Sequence, residues 1–410
     1  KQKTAYEMLR SLVGSEMCIR DRYSMSIMKR PPGDQFTFRA FISLSAKIQV
    51  PHDKIYVWAT ALNPHYQHGD WNASGEWQFE TATDYRKQLT DNIKSDLVVI
   101  GLKDHLTSIS FTNNDTVPDI AEYFINLFND YSDKTFILLT SVEGLDTYIK
   151  SPNVSIIPWG GDITNHQMEY RKLDPILDKN LDSDYCYLSL NRQPRNHRAM
   201  LVSLLYELNI QDTGLISCMF KESITKIVKN TDWDVSKYYE NGSIKVRARG
   251  TNINDDYKIY KTHNDNPANF KNCLAEYYKQ TFVEIVSETS FTEECFNLTE
   301  KTLNSIYGAC FPILICSKHS VKFLREMGLD MFDDVVNHSY DNISNPAARL
   351  EAAIIDNITL LTDIDYTKDL WVKNKDRFEK NIDFCKERMY NYYSVRSKAA
   401  MDKIINESQH

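Results

Sequence analysis

The sequence predicts an α/β protein built on two parallel, doubly wound sheets. Three observations carry this. Short apolar runs without polar alternation recur along the chain, the pattern of strands buried on both faces. Amphipathic stretches separate them, as βαβ crossovers require. The alternation stops in a polar region and restarts near residue 184, which gives two halves with a boundary near residues 165–185. A chain of 410 residues has room for two or three domains.

The first 22 residues stand apart. An apolar run broken by Gly14, Ser15 and Glu16 is no signal peptide. Back-translated, Leu12 to Arg22 spells a transposase-type sequencing adapter, and Lys1 to Glu7 the flow-cell end of the same kind of library. The gap between them is barcode-sized. Residues 1–22 therefore read as translated adapter from an environmental library and are excluded from the fold. The working sequence starts near Tyr23, with Met25 or Met28 as candidate starts.

The elements follow in order. KIYVWA (54–59) reads as a strand, and a long polar and aromatic loop spans 61–80. A short helix is expected over 84–93 and a strand over 95–102. A helix over 117–131 carries Pro118 in its first turn, where its missing N–H costs nothing. A strand over 134–140, a helix over 141–150 and a strand from 153 into Gly160-Gly161 complete the first half. The second half opens with the strand DYCYLSLN (184–191) and a helix over 195–210. Residues 211–262 are polar, with a short hairpin expected over 243–250. A helix over 266–280, the strand TFVEIVSET (281–289), a helix over 298–309 and the strand FPILIC (311–316) follow. The helix over 319–328 is closed by Gly328. Helices over 346–361 and between 369 and 405 end the chain.

Composition narrows the function. A net charge of −8 disfavours general nucleic-acid binding, which leans on clustered Lys and Arg. No stretch reaches the roughly 20 apolar residues of a membrane span. Beyond Cys18, seven scattered cysteines without a Cys-x-x-Cys pair fit reduced thiols in a cytoplasmic protein.

Ligands of open α/β sheets bind at the carboxyl ends of strands. Three such ends in the second half carry candidates. After the strand ending near Leu190 come Arg192, Arg195, His197 and Arg198. Helix N-termini attract phosphate and repel cations, so arginines there point to an anion, with a solvated first turn as the alternative. At the second end, Glu288 is placed to accept sugar hydroxyls. Thr299 is a good N-cap, and Glu300 and Lys301 open the next helix. There Lys301 can meet a diphosphate and Glu300 a hydroxyl pair. Glu300 alone would also suit a plain capped helix. Beyond the third end, Asp333, Asp334, His338 and Asp341 have metal-like spacing. Such pairs are common on solvated surfaces, so no metal is expected. Tyr340 and Asp341 are instead candidates to line a cleft.

These residues carry a resemblance. Glu288, then Thr299-Glu300-Lys301, a helix and FPILIC resemble the donor half of α-1,3-fucosyltransferase-like glycosyltransferases. The segment is also similar to glycosyltransferase sequences of marine phages and bacteria, with their LSLNR, TEKT and SYD elements. The likeness covers residues 185–361. Ser287-Glu288-Thr289 stands where Phe-Glu-Asn is usual. The resemblance implies a GT-B architecture of two Rossmann-like domains facing across a cleft. Here these would be an acceptor domain over 23–170, a donor domain over 171–365 and closing helices over 366–410. It implies a nucleotide-diphosphate sugar as co-substrate, bound by Glu288, Thr299, Glu300, Lys301 and Arg192 or Arg195, without a cofactor. A general base is then needed from the first half. Asp104 and Asp162 follow strands there, and Glu76 and Glu80 are weaker choices; all four are also ordinary surface carboxylates in type. Trp71, Trp77 and Phe79 either stack on a ligand or pin their loop. The acceptor would be a glycan or, for a viral gene, modified DNA. A non-catalytic sugar- or nucleotide-binding protein and another doubly wound nucleotide-using enzyme are the rivals. No Gly-x-Gly-x-x-Gly follows any strand, which argues against a dehydrogenase or epimerase.

Overall fold

The computed structural model describes residues 55–60, 96–102, 117–140, 144–158, 172–191, 196–218, 239–240, 243–244, 274–288 and 298–389, with isolated positions besides. The chain is a mixed α/β protein in which two separate sheets are wholly parallel. It divides into two compact units. The first comprises Lys1–Ser141, Leu145–Gly161 and Val395–His410, and the second Val142–Gly144 and Asp162–Ser394.

In the first unit, β1 (Ile55–Thr60), β2 (Leu97–Leu102), β3 (Thr135–Thr140) and β4 (Val154–Pro158) pair in chain order. Phe136, Ile137 and Leu138 are all buried, so β3 is covered on both faces, as its unbroken apolar run requires. Helix α1 (Val117–Asp130) packs Phe128 on Phe136, ring centroids 4.7 Å apart. The helix expected over 141–150 is not formed as such. Gly144 takes a left-handed φ of 87°, and a 3-10 turn, Leu145–Thr147, follows it. A left-handed residue ends a right-handed helix.

In the second unit the spatial order is β6 (Gly214–Cys218), β5 (Tyr187–Asn191), β9 (Val283–Ser287), β10 (Phe311–Ile315). A small antiparallel hairpin, β7 (Tyr239–Glu240) and β8 (Ser243–Ile244), lies between β6 and β9 in sequence. Its second strand is Ser243–Ile244, where the sequence pattern began the hairpin. Pro312 lacks an N–H for a second neighbour, and β10 is the outer strand of the described sheet, where proline is tolerated.

The helices are α2 (Asn196–Glu207), α3 (Ala275–Lys279), α4 (Glu300–Tyr307), α5 (Ser320–Met327), α6 (Pro346–Ile355), α7 (Ile358–Thr362), α8 (Ile364–Lys373) and α9 (Lys375–Phe384). Their ends follow local chemistry. Gly328, at φ 113°, closes α5. Asn345 caps α6 through Ala348 N, with Pro346 in its first turn. Helices α8 and α9 belong to the second unit. Trp371 Nε1 donates to the Ala309 carbonyl (2.7 Å), and the Phe378 ring packs at a tilt on Phe311 of β10, centroids 4.9 Å apart. Among the described residues no helix is long and apolar enough to cross a membrane.

Candidate functional site

Chain order and spatial order disagree in the second unit. The chain lays down β5, adds β6 on one side, then returns to add β9 and β10 on the other. The reversal sits between β5 and β9. Such a switch point opens a crevice beyond the carboxyl ends of the two strands, because their onward connections leave in opposite directions. The described strands of the first unit run in chain order and contain no such reversal.

The carboxyl ends at this switch point are Asn191 and Ser287. Tyr187 pairs with Val283 and Leu188 with Glu284, and extending that register sets Asn191 opposite Ser287. Both are buried, and Asn191 Oδ1 and Ser287 Oγ have no hydrogen-bond partner among the described residues. Helix α2 starts here and is latched to the end of β9. His197 Nε2 donates to the Glu288 carbonyl (2.9 Å), and Arg198 Nη2 to the Ser287 carbonyl (3.1 Å). His197 also stacks on Phe291, centroids 4.9 Å apart. Thus His197 and Arg198 are buried braces, neither a solvated turn nor an open anion cradle. Arg192 and Arg195 lie outside the described residues, as do Asp104, Asp162, Glu76, Glu80, Trp71, Trp77 and Phe79.

The structure brings Glu288, Thr299, Glu300 and Lys301 together. Glu288 is 1% exposed. Its Oε2 accepts from Thr299 Oγ1 (2.5 Å). Its Oε1 accepts from Thr302 Oγ1 (2.6 Å) and Thr302 N (3.3 Å). The carboxylate thus sits under the first turn of α4, where the free N–H groups and the dipole favour an anion. It serves as an internal brace, and both its oxygens are taken. Thr299 is the N-cap, accepting from Lys301 N at 3.3 Å. Lys301 Nζ pairs with Glu300 Oε1 at 2.7 Å and donates to Thr299 Oγ1 at 3.2 Å. The Lys301 and Glu300 side chains are 27% and 17% exposed. They are the charged groups at this turn that solvent reaches.

Tyr340 is enclosed by the core, while Asp341 borders a surface cavity beside Lys322, Arg325 and Asn342. They are 1% and 4% exposed. Tyr340 Oη accepts from Leu314 N (2.9 Å). Asp341 accepts from Val321 N (3.1 Å) and Lys322 N (2.9 Å) and caps α5, whose own N-cap, His319, has a left-handed φ of 66° and makes no cap bond. The metal-like spacing dissolves into separate contacts. Asp333 pairs with Arg325 and Asp334 with Arg377. His338 donates from Nε2 to the Met331 carbonyl (2.8 Å), while Nδ1 meets Tyr340 Oη at 3.0 Å. Burial holds its pKa below the usual histidine value. Among the described residues no three metal-ligating side chains converge.

One polar cluster had only a faint sequence signal. Glu284 interrupts the apolar run of β9 and is buried beside Tyr278, whose hydroxyl donates to Oε1 at 2.8 Å. Burial pushes Glu284 up to about 8, against the opposing pull of the Tyr278 hydrogen bond and Lys179. The folded pKa therefore lies above the unfolded value of 4.5. The stability tied to the neutral acid is complete below the unfolded value and is lost as pH rises through about 8. Urea unfolding between those limits is expected to show stability falling by up to about 1.4 kcal/mol per pH unit from this group. Glu284→Gln should flatten that slope. An unchanged slope in the variant would assign the effect elsewhere.

Comparison of the chain with protein-family models, curated proteins and solved structures finds no match.

Proposed function

We propose that the chain is a metal-independent glycosyltransferase of GT-B-like architecture, moving a sugar from a nucleotide-diphosphate sugar to a glycan or other hydroxyl acceptor. The observation that carries this reading is the switch point with α4 behind it. A topological reversal, two buried orphan polar atoms and a solvent-reachable lysine at a braced helix start all lie around the carboxyl ends of β5 and β9. Nucleotides favour that place in open α/β sheets. Lys301 would neutralise the diphosphate leaving group, with Arg192 or Arg195 from the loop after β5. Glu300 would accept the ribose diol, and Glu288 would hold both by fixing the turn. Charge neutralisation of the departing diphosphate is the main catalytic need in such a transfer. A general base would be needed as well, with Asp104 and Asp162 as the candidates.

A thermal-shift panel of nucleoside diphosphates and nucleotide sugars tests this. A ligand at a hundredfold excess over its Kd stabilises by about 2.7 kcal/mol, which a melting curve resolves. Lys301→Ala should abolish the shift and leave the ligand-free melting temperature nearly unchanged, because the side chain is partly exposed. No shift with any nucleotide would sink the reading. Release of nucleoside diphosphate in the presence of acceptor then separates a transferase from a binding protein.

A further inference from the structure

The second unit encloses a cluster that donor binding does not use. Lys179 Nζ donates to the carbonyls of Tyr278 (2.6 Å), Thr281 (2.7 Å) and Gly308 (2.5 Å), and lies 3.3 Å from Cys310 Sγ. Glu284 and Tyr278 complete the cluster. Lys179, Tyr278, Glu284 and Cys310 are all buried. Desolvation lowers the Lys179 pKa and raises those of Cys310 and Glu284. Burial thereby favours the neutral form of each group, against the hydrogen bonds that hold the ammonium in place. A lysine nitrogen 3.3 Å from a thiol is the pair that oxidation joins.

We propose that Lys179 and Cys310 form a covalent nitrogen–oxygen–sulfur bridge when the protein meets hydrogen peroxide. The 3.3 Å separation favours an inserted oxygen. A direct nitrogen–sulfur bond would pull Nζ further from its three carbonyls. The overall step consumes the amine, the thiol and two peroxide molecules, and yields the bridged pair and three waters. The S–H bond, one N–H bond and both O–O bonds break, and S–O and N–O bonds form. Four electrons pass from sulfur and nitrogen to the peroxides, and one peroxide oxygen stays in the bridge. The first oxidation takes the Cys310 thiolate to sulfenic acid, and the adjacent Lys179 ammonium favours that thiolate against the effect of burial. The bridged nitrogen keeps a single hydrogen for three carbonyls, two of which end α3 and α4. Oxidation therefore loosens the far end of the helix whose first turn carries Lys301. The bridge itself does not depend on the transferase reading.

The test is peroxide treatment of the full chain, digestion without reductant and mass spectrometry. The expected product is a linked pair of peptides holding residues 179 and 310. Its mass is their sum plus one oxygen less two hydrogens, and dithiothreitol removes the link. The melting temperature should fall on oxidation and recover on reduction. Cys310→Ser should give no linked pair, and the wild-type result stands even if that variant folds poorly. The proposal is overturned if Cys310 goes to sulfinic or sulfonic acid without a link. It is equally overturned if both peptides stay unmodified while methionines oxidise, or if the link lacks the added oxygen.

Discussion

Lys179→Met is expected to cost the second unit about 3–5 kcal/mol, the range for stranding a buried polar network by removing its charged member. The ammonium is the shared donor to three carbonyls at 2.5–2.7 Å. Each buried acceptor left unpaired costs about 1–3 kcal/mol. Against that stands the desolvation of the ammonium, visible in its lowered pKa, which methionine does not bear. Three stranded acceptors outweigh one relieved cation, so the net sign is destabilising. Methionine roughly matches the length of the lysine stem, so cavity formation adds little. Urea unfolding checks this. The midpoint should fall with the slope of the transition unchanged. A loss below about 0.5 kcal/mol, the scale of an ordinary surface change, would show that the carbonyls find other donors.

Glu288→Ala has the second large effect, and its companion Glu288→Gln makes it informative. Alanine strands the Thr299 and Thr302 hydroxyls and the Thr302 N–H. The expected loss is about 2–4 kcal/mol, since hydrogen bonds to a charged group are worth about 1.5–3 kcal/mol each and the hydroxyls can partly re-pair. Glutamine keeps an acceptor for the Thr302 N–H, and the two hydroxyls can rotate to suit an amide. It should retain most of the stability. On the proposed reading, nucleoside diphosphate affinity should follow stability across the two variants, because Glu288 would act by placing Lys301. A carboxylate that touched the ligand itself would behave differently. Its glutamine variant would lose affinity while unfolding normally.

Much of the fold was legible because its signals are local. β3, β5 and β10 are runs of apolar residues that only a doubly covered sheet can bury, and Thr299, Gly328 and Pro346 mark helix ends through their own backbone chemistry. The helix expected over 141–150 was missed because a single left-handed glycine outweighs a favourable composition. The site was legible in part. Glu288 and Thr299-Glu300-Lys301 do come together, since strand end and helix start are close in sequence. That Glu288 is an internal brace was not readable, because the decisive partner, Thr302, reads only as a helix residue. Tyr340 and Asp341 read as polar and available, yet each satisfies a backbone N–H brought to it by the fold. Lys179 gives no signal at all. Its three acceptors lie between 99 and 129 residues away in sequence.

The seat of α4 has one more consequence. Apolar contacts are indifferent to small rotations, because hydrophobic attraction has no direction. Hydrogen bonds weaken steeply off axis. The first turn of α4 meets β9 through a carboxylate that engages Thr299 and Thr302 at once. Turning the helix about its own axis would break both contacts together, and sliding it by one residue would offer Glu288 a lysine and a leucine in their place. The first turn is therefore keyed, like a toothed shaft, rather than greased. Lys301 is delivered to one bearing, whatever the softer parts of the core do around it.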